Sequence, residues 1–122
     1  MKSGEIYLVD FGERYQSNLG KVRPAIVFCA DGYLEILPDL SFPSVPVIPL
    51  TTQLVQNPAN LFRVSIPAAD RLEKPSEAIV NWICSVDAAN IDQTNGPLTR
   101  LSESQMRELQ NKFAKFMGLS PL

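Results

Sequence analysis

The stretches G-K-V-R-P-A-I-V-F at residues 20–28 and V-I-P-L-T-T-Q at 47–53 carry one layout in opposite order. In the first, a polar loop passes through Arg23 and Pro24 into an apolar run. In the second, an apolar run ends on the hydroxyls of Thr51 and Thr52. Both runs are short and rich in β-branched residues, so they read as strands over 24–30 and about 45–50. Pro24 fits the first position of its strand, where a missing N–H costs least. Arg23 and Thr51 are then either ordinary strand-end residues or two halves of one site.

Working outward, E-I-Y-L-V-D-F at 5–11 is a first strand, and the two-glycine segment 12–22 is a long polar loop. D-G-Y at 31–33 carries a turn signal. Pro38, Pro43, Pro46 and Pro49 interrupt the apolar stretch that follows, so the strand at 45–50 is expected at a sheet edge or irregular. Residues 52–60 form a second polar loop. L-F-R-V-S-I at 61–66 sets Phe62, Val64 and Ile66 on one face and Arg63 and Ser65 on the other. The connection 67–76 has room for one helical turn, and 77–86 reads as one long, largely buried strand.

Near the C-terminus Ser102 is an N-cap, and Gln105 completes a capping box. Met106, Leu109, Phe113 and Phe116 follow as one apolar stripe, and Gly118 supplies the left-handed position beyond the end. The helix is expected over about 102–117. Short strands closed by one packing helix make a mainly β fold, a small barrel or rolled sheet with a helical cover. The chain of 122 residues suits one domain, 1–122, with a single core.

Composition narrows the chemistry. Histidine is absent, which excludes Ser-His-Asp and Cys-His nucleophile systems, a histidine-pair ribonuclease and the usual catalytic zinc site. A formal net charge of −2 argues against binding nucleic acid over the whole surface, though a local basic site is compatible with it. Cys29 and Cys84 lie in apolar runs and are expected as buried free thiols. Apolar runs fall short of the roughly 18–20 residues that a membrane span needs. The N-terminus reaches Glu5 and Asp10 too soon for a signal peptide, so a cytoplasmic protein without a membrane association is expected.

The series G-E-I-Y-L-V-D-F at 4–11, S-N-L-G-K-V-R-P-A-I-V at 17–27 and P-L-T-T-Q at 49–53 resembles the MazF/PemK family, the toxins of bacterial type II toxin–antitoxin pairs. The likeness runs from about 4 to 118. It implies an SH3-like small barrel of the CcdB/PemK-like type, a homodimer and sequence-specific cleavage of single-stranded RNA without a metal or other cofactor. It also implies a cognate antitoxin whose disordered tail lies across the RNA groove.

Such cleavage uses the ribose 2′-hydroxyl as nucleophile, so the protein supplies alignment, charge stabilisation and proton transfer. The resemblance makes Arg23 and Thr51 catalytic. The guanidinium fork of Arg23 suits two phosphate oxygens, and its high pKa favours electrostatic stabilisation over a general-acid role. Thr51 would add a hydroxyl donor; Thr52 beside it could serve as well, and Gln53 either contacts a base or faces water.

Two places depart from the family. Where many relatives read Ser-Glu-Gln, this chain has Ser17, Asn18 and Leu19, and Asn18 cannot act as a base. Glu13 in the same loop is then the candidate base, or else a solvated carboxylate. Arg14 and Lys21 add local positive charge for RNA, or form a solvated loop face. Relatives often have Asp-Gln followed by a basic residue where this chain reads Asn81-Trp82-Ile83-Cys84. Asn81 could bond a base edge, and Trp82 could stack on one, although a Trp within an apolar strand is more often core. Leu54 and Val55, where exposed, suit apolar contact with an antitoxin tail. The competing readings are a non-catalytic toxin that binds a protein target such as DNA gyrase, and an interaction module that binds RNA without cutting it.

Overall fold

Strand β3 (Ser44–Thr51) organises the sheet. In the computed structural model, which describes residues 1–12, 22–55 and 62–122, β3 has neighbours on both edges. Strand β2 (Val22–Val27) pairs with it antiparallel from Ala25↔Pro49 to Val27↔Val47. On the other edge, β6 (Cys84–Asp87) covers Ser44 to Val47, and β5 (Ser76–Ile79) covers Leu50 and Thr51. The expectation of an edge strand is therefore wrong. Its prolines are tolerated because they fall where the ladder is interrupted anyway. Pro46 lies opposite Phe28, just past the end of β2, and uses its carbonyl to accept the Phe28 N–H at 3.0 Å. Pro49 sits in the gap where the neighbour changes from β6, last paired at Val47, to β5, first paired at Leu50.

The remaining strands are β1 (Glu5–Asp10), β4 (Arg63–Ile66), β7 (Ile91–Asp92) and β8 (Thr99–Arg100). Among the described residues the order runs β4-β5-β3-β2-β1-β7, with β6 also on β3 and β8 also on β1. The antiparallel sheet rolls into a barrel-like form that does not close. Alternation then buries both faces of the central strands. Ile6, Ile26, Ile48 and Leu50 enter one core cluster, with Val64 and Leu109. Tyr7, Val9, Ala25, Val27, Val45 and Val47 enter the other.

Each cluster has a cover. Over the first lies α2 (Glu103–Phe116), with the Ser102 cap in place: Gln105 N–H donates to Ser102 Oγ at 3.2 Å, and Ser102 N–H donates to Gln105 Oε1 at 2.7 Å. Leu109 is fully buried, and Phe113 packs on Phe28 with ring centroids 5.0 Å apart. Gly118 follows the helix at φ 74°, a conformation that glycine adopts without strain. Tyr33, Leu34, Leu37 and Leu40 pack against the second cluster. Three of these come from a helix α1 (Asp31–Ile36) and the 3-10 turn behind it, where the sequence reading expected only a turn at 31–33. Tertiary ties override that signal: Ser3 N–H donates to Asp31 Oδ1 at 2.7 Å, and Asp31 stands in the first turn, where the helix dipole favours an anion.

Three further expectations change. The stretch 77–86 is two strands, because Val80–Trp82 forms a 3-10 turn that steps the chain along β3. The connection between β4 and β5 has no helical turn; Ala69 and Leu72 bridge across a tight turn with Asp70 at φ 51°. Cys29 and Cys84 are half-buried at the margin of the second cluster, rather than buried. No helix among the described residues is long and apolar enough to cross a membrane.

Candidate functional site

Continuing the β2–β3 register two residues past Ala25↔Pro49 brings Arg23 level with Thr51. On the far side, β3–β5 pairing sets Thr51 directly opposite Glu77. Arg23, Thr51 and Glu77 thus form one row across three strands. At this row opens a pocket of about 200 Å³, lined by Arg23, Thr51, Thr52, Gln53 and Ser76 together with Pro24 and Leu50.

Arg23 is half-buried, and its Nη1 donates to the Leu50 carbonyl at a long 3.4 Å. Burial pushes its pKa below the ordinary arginine value. That value lies so high that the side chain remains a cation near neutrality. Thr51 is buried, and its Oγ1 accepts the Gln53 N–H at 3.1 Å. A hydroxyl that accepts keeps its own hydrogen for donation, so Thr51 can donate into the pocket. Ser76 is buried too, and its hydroxyl donates to the Lys74 carbonyl at 3.1 Å, which leaves its oxygen an acceptor. Among the described lining residues the single ionisable group is Arg23, which brings a positive charge to the pocket in a chain of net charge −2.

Behind Thr51 lies an ion pair between a buried carboxylate and a half-buried arginine. Glu77, 4% exposed, accepts from Arg63 Nη1 at 3.1 Å and from the Val55 N–H at 2.9 Å. Arg63 Nη1 also donates to the Gln53 carbonyl at 3.3 Å. The sequence reading assigned Arg63 to the face opposite the apolar one and took Glu77 as the start of a strand. The missed signal was charge: an acid opens the apolar run E-A-I-V, and a base stands in the preceding strand. Ser76 was likewise missed, as a small hydroxyl at a strand start carries no signal of its own.

The other sequence-selected residues fall in different places. Thr52 and Gln53 line the pocket beside Thr51. Asn81 and Trp82 do not line it. They are exposed on the 3-10 turn that packs against α2, so Trp82, 38% exposed, is not a core residue. Leu54 and Val55 are exposed beyond Gln53. Glu13, Arg14, Asn18 and Lys21 lie outside the described residues.

A second polar cluster occupies the opposite end of β1. Glu5, 5% exposed, accepts from Arg100 at 2.7 Å, from the Tyr7 hydroxyl at 2.9 Å and from the Lys2 N–H. It ties β1 to β8, where Glu5 and Arg100 are register partners. Every group in it is satisfied by another, and its geometry is that of a structural clasp.

Comparison with known proteins agrees with this architecture. An endoribonuclease in complex with its cognate antitoxin from a mycobacterial species superposes with a TM-score of 0.72 at 15% identity, over 98% of this chain and 97% of that one. MazF from Deinococcus radiodurans gives 0.72 at 18% identity, over 97% and 96%. The Mycobacterium tuberculosis toxin MazF-mt6 gives 0.70 at 19% identity, over 95% and 98%. At these identities the likeness is one of fold. No curated protein matches the chain in sequence. Residues 2–117 do match the family model of the PemK-like, MazF-like toxins of type II toxin–antitoxin systems, which takes in Arg23, Thr51 and the whole of α2, and the chain belongs to that family.

Proposed function

We propose that the chain is a metal-independent, sequence-specific endoribonuclease that cleaves single-stranded RNA. The observation that carries this reading is the convergence of the Arg23 guanidinium and the Thr51 hydroxyl on one pocket. In the reaction the ribose 2′-oxygen attacks the adjoining phosphorus. The 2′-O–P bond forms and the P–5′-O bond breaks, leaving a 2′,3′-cyclic phosphate and a 5′-hydroxyl. Negative charge gathers on the two non-bridging oxygens. Arg23 stabilises it with paired N–H donors, and Thr51 adds a third donor. One proton passes from the 2′-hydroxyl to a base, and water returns one to the departing 5′-oxygen. The base is assigned to Glu13, the carboxylate in the loop where many relatives carry a glutamate and this chain has Asn18.

RNA contacts extend to Arg14, Asn18, Lys21, Thr52 and Gln53, with Asn81 and Trp82 as a separate base-contacting position on the turn before β6. A homodimer forms the groove. A cognate antitoxin tail occupies it in the inactive state, with Leu54 and Val55 as apolar contacts; the solved complex of a mycobacterial endoribonuclease with its antitoxin supports this pairing.

The test is incubation of purified protein with long single-stranded RNA in EDTA, with Arg23→Ala alongside. Cutting that persists in chelator, leaves 2′,3′-cyclic phosphate ends and vanishes in the variant is the expected result. Intact RNA with folded wild-type protein would sink the reading and turn attention to a toxin or module that binds without cutting, with Asn18 the first residue to restore to glutamate.

A further inference from the structure

Thr51 owes its orientation to the backbone that follows it. Its Oγ1 accepts the Gln53 N–H, so the hydroxyl turns with Gln53. Gln53 is held in turn by Arg63 Nη1 on its carbonyl, and Val55 by Glu77 on its N–H. Arg63 and Glu77 are paired with each other, and their side chains are 22% and 6% exposed. They are diagonal neighbours across β4 and β5, since Arg63 faces Ile79 in the register. Lys112 of α2 donates to the Arg63 carbonyl at 2.5 Å, and Phe116 meets Phe62 edge-on with centroids 5.7 Å apart. An unbroken chain of contacts thus runs from α2 through Arg63 and Glu77 to the pocket hydroxyl.

A buried carboxylate is a poor choice for stability alone, because desolvation consumes most of what its ion pair contributes. What the pair adds here is direction. We infer that Glu77, with Arg63, is a positioning residue of the active site: it fixes the 53–55 backbone and thereby aims the Thr51 hydroxyl at the scissile phosphate. The inference rests on the nuclease reading of the pocket.

The experiment compares wild type, E77A, E77Q and R63K in steady-state cleavage of single-stranded RNA, each also in a T51A background. A residue that acts through Thr51 lowers kcat and spares KM, by about tenfold for E77A and less for E77Q, which can still accept the Val55 N–H. In the T51A background the same substitutions add less than about twofold, because the hydroxyl they aim is already gone. A full tenfold loss there, or wild-type kcat in E77A, overturns the inference. E77Q and R63K carry the same comparison should E77A fold poorly.

Amide hydrogen exchange supplies a readout independent of cutting. In E77A and E77Q the Val55 and Gln53 amides exchange at least about tenfold faster, while those of Ile26 and Ile48 keep their protection. Unchanged exchange at Val55 and Gln53 overturns the inference even where wild type cleaves RNA. Wild-type protein that leaves RNA intact counts against the nuclease reading instead. Inorganic phosphate then probes the pocket: E77A requiring about tenfold more phosphate to shift the Thr51 amide resonance supports the positioning role, and equal titrations overturn it.

Discussion

Arg23 and Thr51 stand level at the adjacent ends of β2 and β3 and line the same pocket, one contributing a cation and the other a hydroxyl donor. The cation and the hydroxyl can be tested separately, because they act on different parts of the same charge.

Arg23→Lys keeps the charge and loses the planar fork. Bidentate contact is the argued role, so kcat for RNA cleavage falls by at least about tenfold in R23K and by about 10²–10³ in R23A. Arg23 is half-buried and donates to the Leu50 carbonyl at 3.4 Å, so urea unfolding of each variant, measured alongside, separates a loss of chemistry from a loss of fold. Equal rates in R23K and wild type would show that charge alone suffices, and would remove the fork from the mechanism.

Thr51→Val is close in shape and deletes the hydroxyl. It also strips the Gln53 N–H of its acceptor, so turnover is expected to fall about tenfold or more. Thr51→Ser retains both functions and stays within about threefold of wild type. A single-turnover assay that ranks serine with valine would mean that the Thr51 methyl, rather than its oxygen, matters to the site.

How far the sequence led depends on whether the deciding contact was local. Helix α2 was legible because its signals lie within itself: the Ser102–Gln105 box, the apolar stripe and Gly118 are all a few residues apart. β1 was legible for the same reason. The central place of β3 was not, since four prolines in its neighbourhood argue for an edge until one knows where β2 ends and where β6 gives way to β5. The D-G pair likewise reads as a turn until Ser3 is seen to bind Asp31. At the site, Arg23 and Thr51 stood out as polar residues at the ends of apolar runs. Glu77 and Arg63 did not, because each is an ordinary charge alone and becomes informative only once the two are seen paired, with the carboxylate buried.

Leu109 tests the helical cover. It is fully buried in the cluster shared with Ile6, Ile26 and Ile48, so Leu109→Ala removes transfer energy and leaves a cavity, at a cost of about 2–5 kcal/mol in urea unfolding. Ser102→Ala, which removes the hydroxyl that accepts the Gln105 N–H and leaves the backbone half of the capping box in place, costs about 0.5–2 kcal/mol. A Leu109 variant as stable as wild type would mean that α2 is not needed to seal that core.

The Glu5 clasp makes stability depend on pH at both extremes. Burial raises the Glu5 carboxyl, but the bonds from Arg100, Tyr7 and Lys2 outweigh it and hold its pKa below the ordinary 4.5. That contribution is present above the unfolded pKa and is lost as pH falls through the lower folded one. Tyr7 goes the other way: burial and then Glu5 push its pKa from 10.0 up to about 12. The unfolded chain then ionises first, so the stability held by the phenol is intact below pH 10 and drains away as pH rises towards 12. Tyr7→Phe removes a hydrogen bond to a charged acceptor and costs about 1.5–3 kcal/mol at pH 7. Urea unfolding of the two proteins at pH 7, about 9 and about 11 should show that difference constant at first and clearly smaller at the highest pH. A difference that persists undiminished there would mean that the Tyr7 proton is not held by Glu5, and that the clasp acts through Arg100 alone.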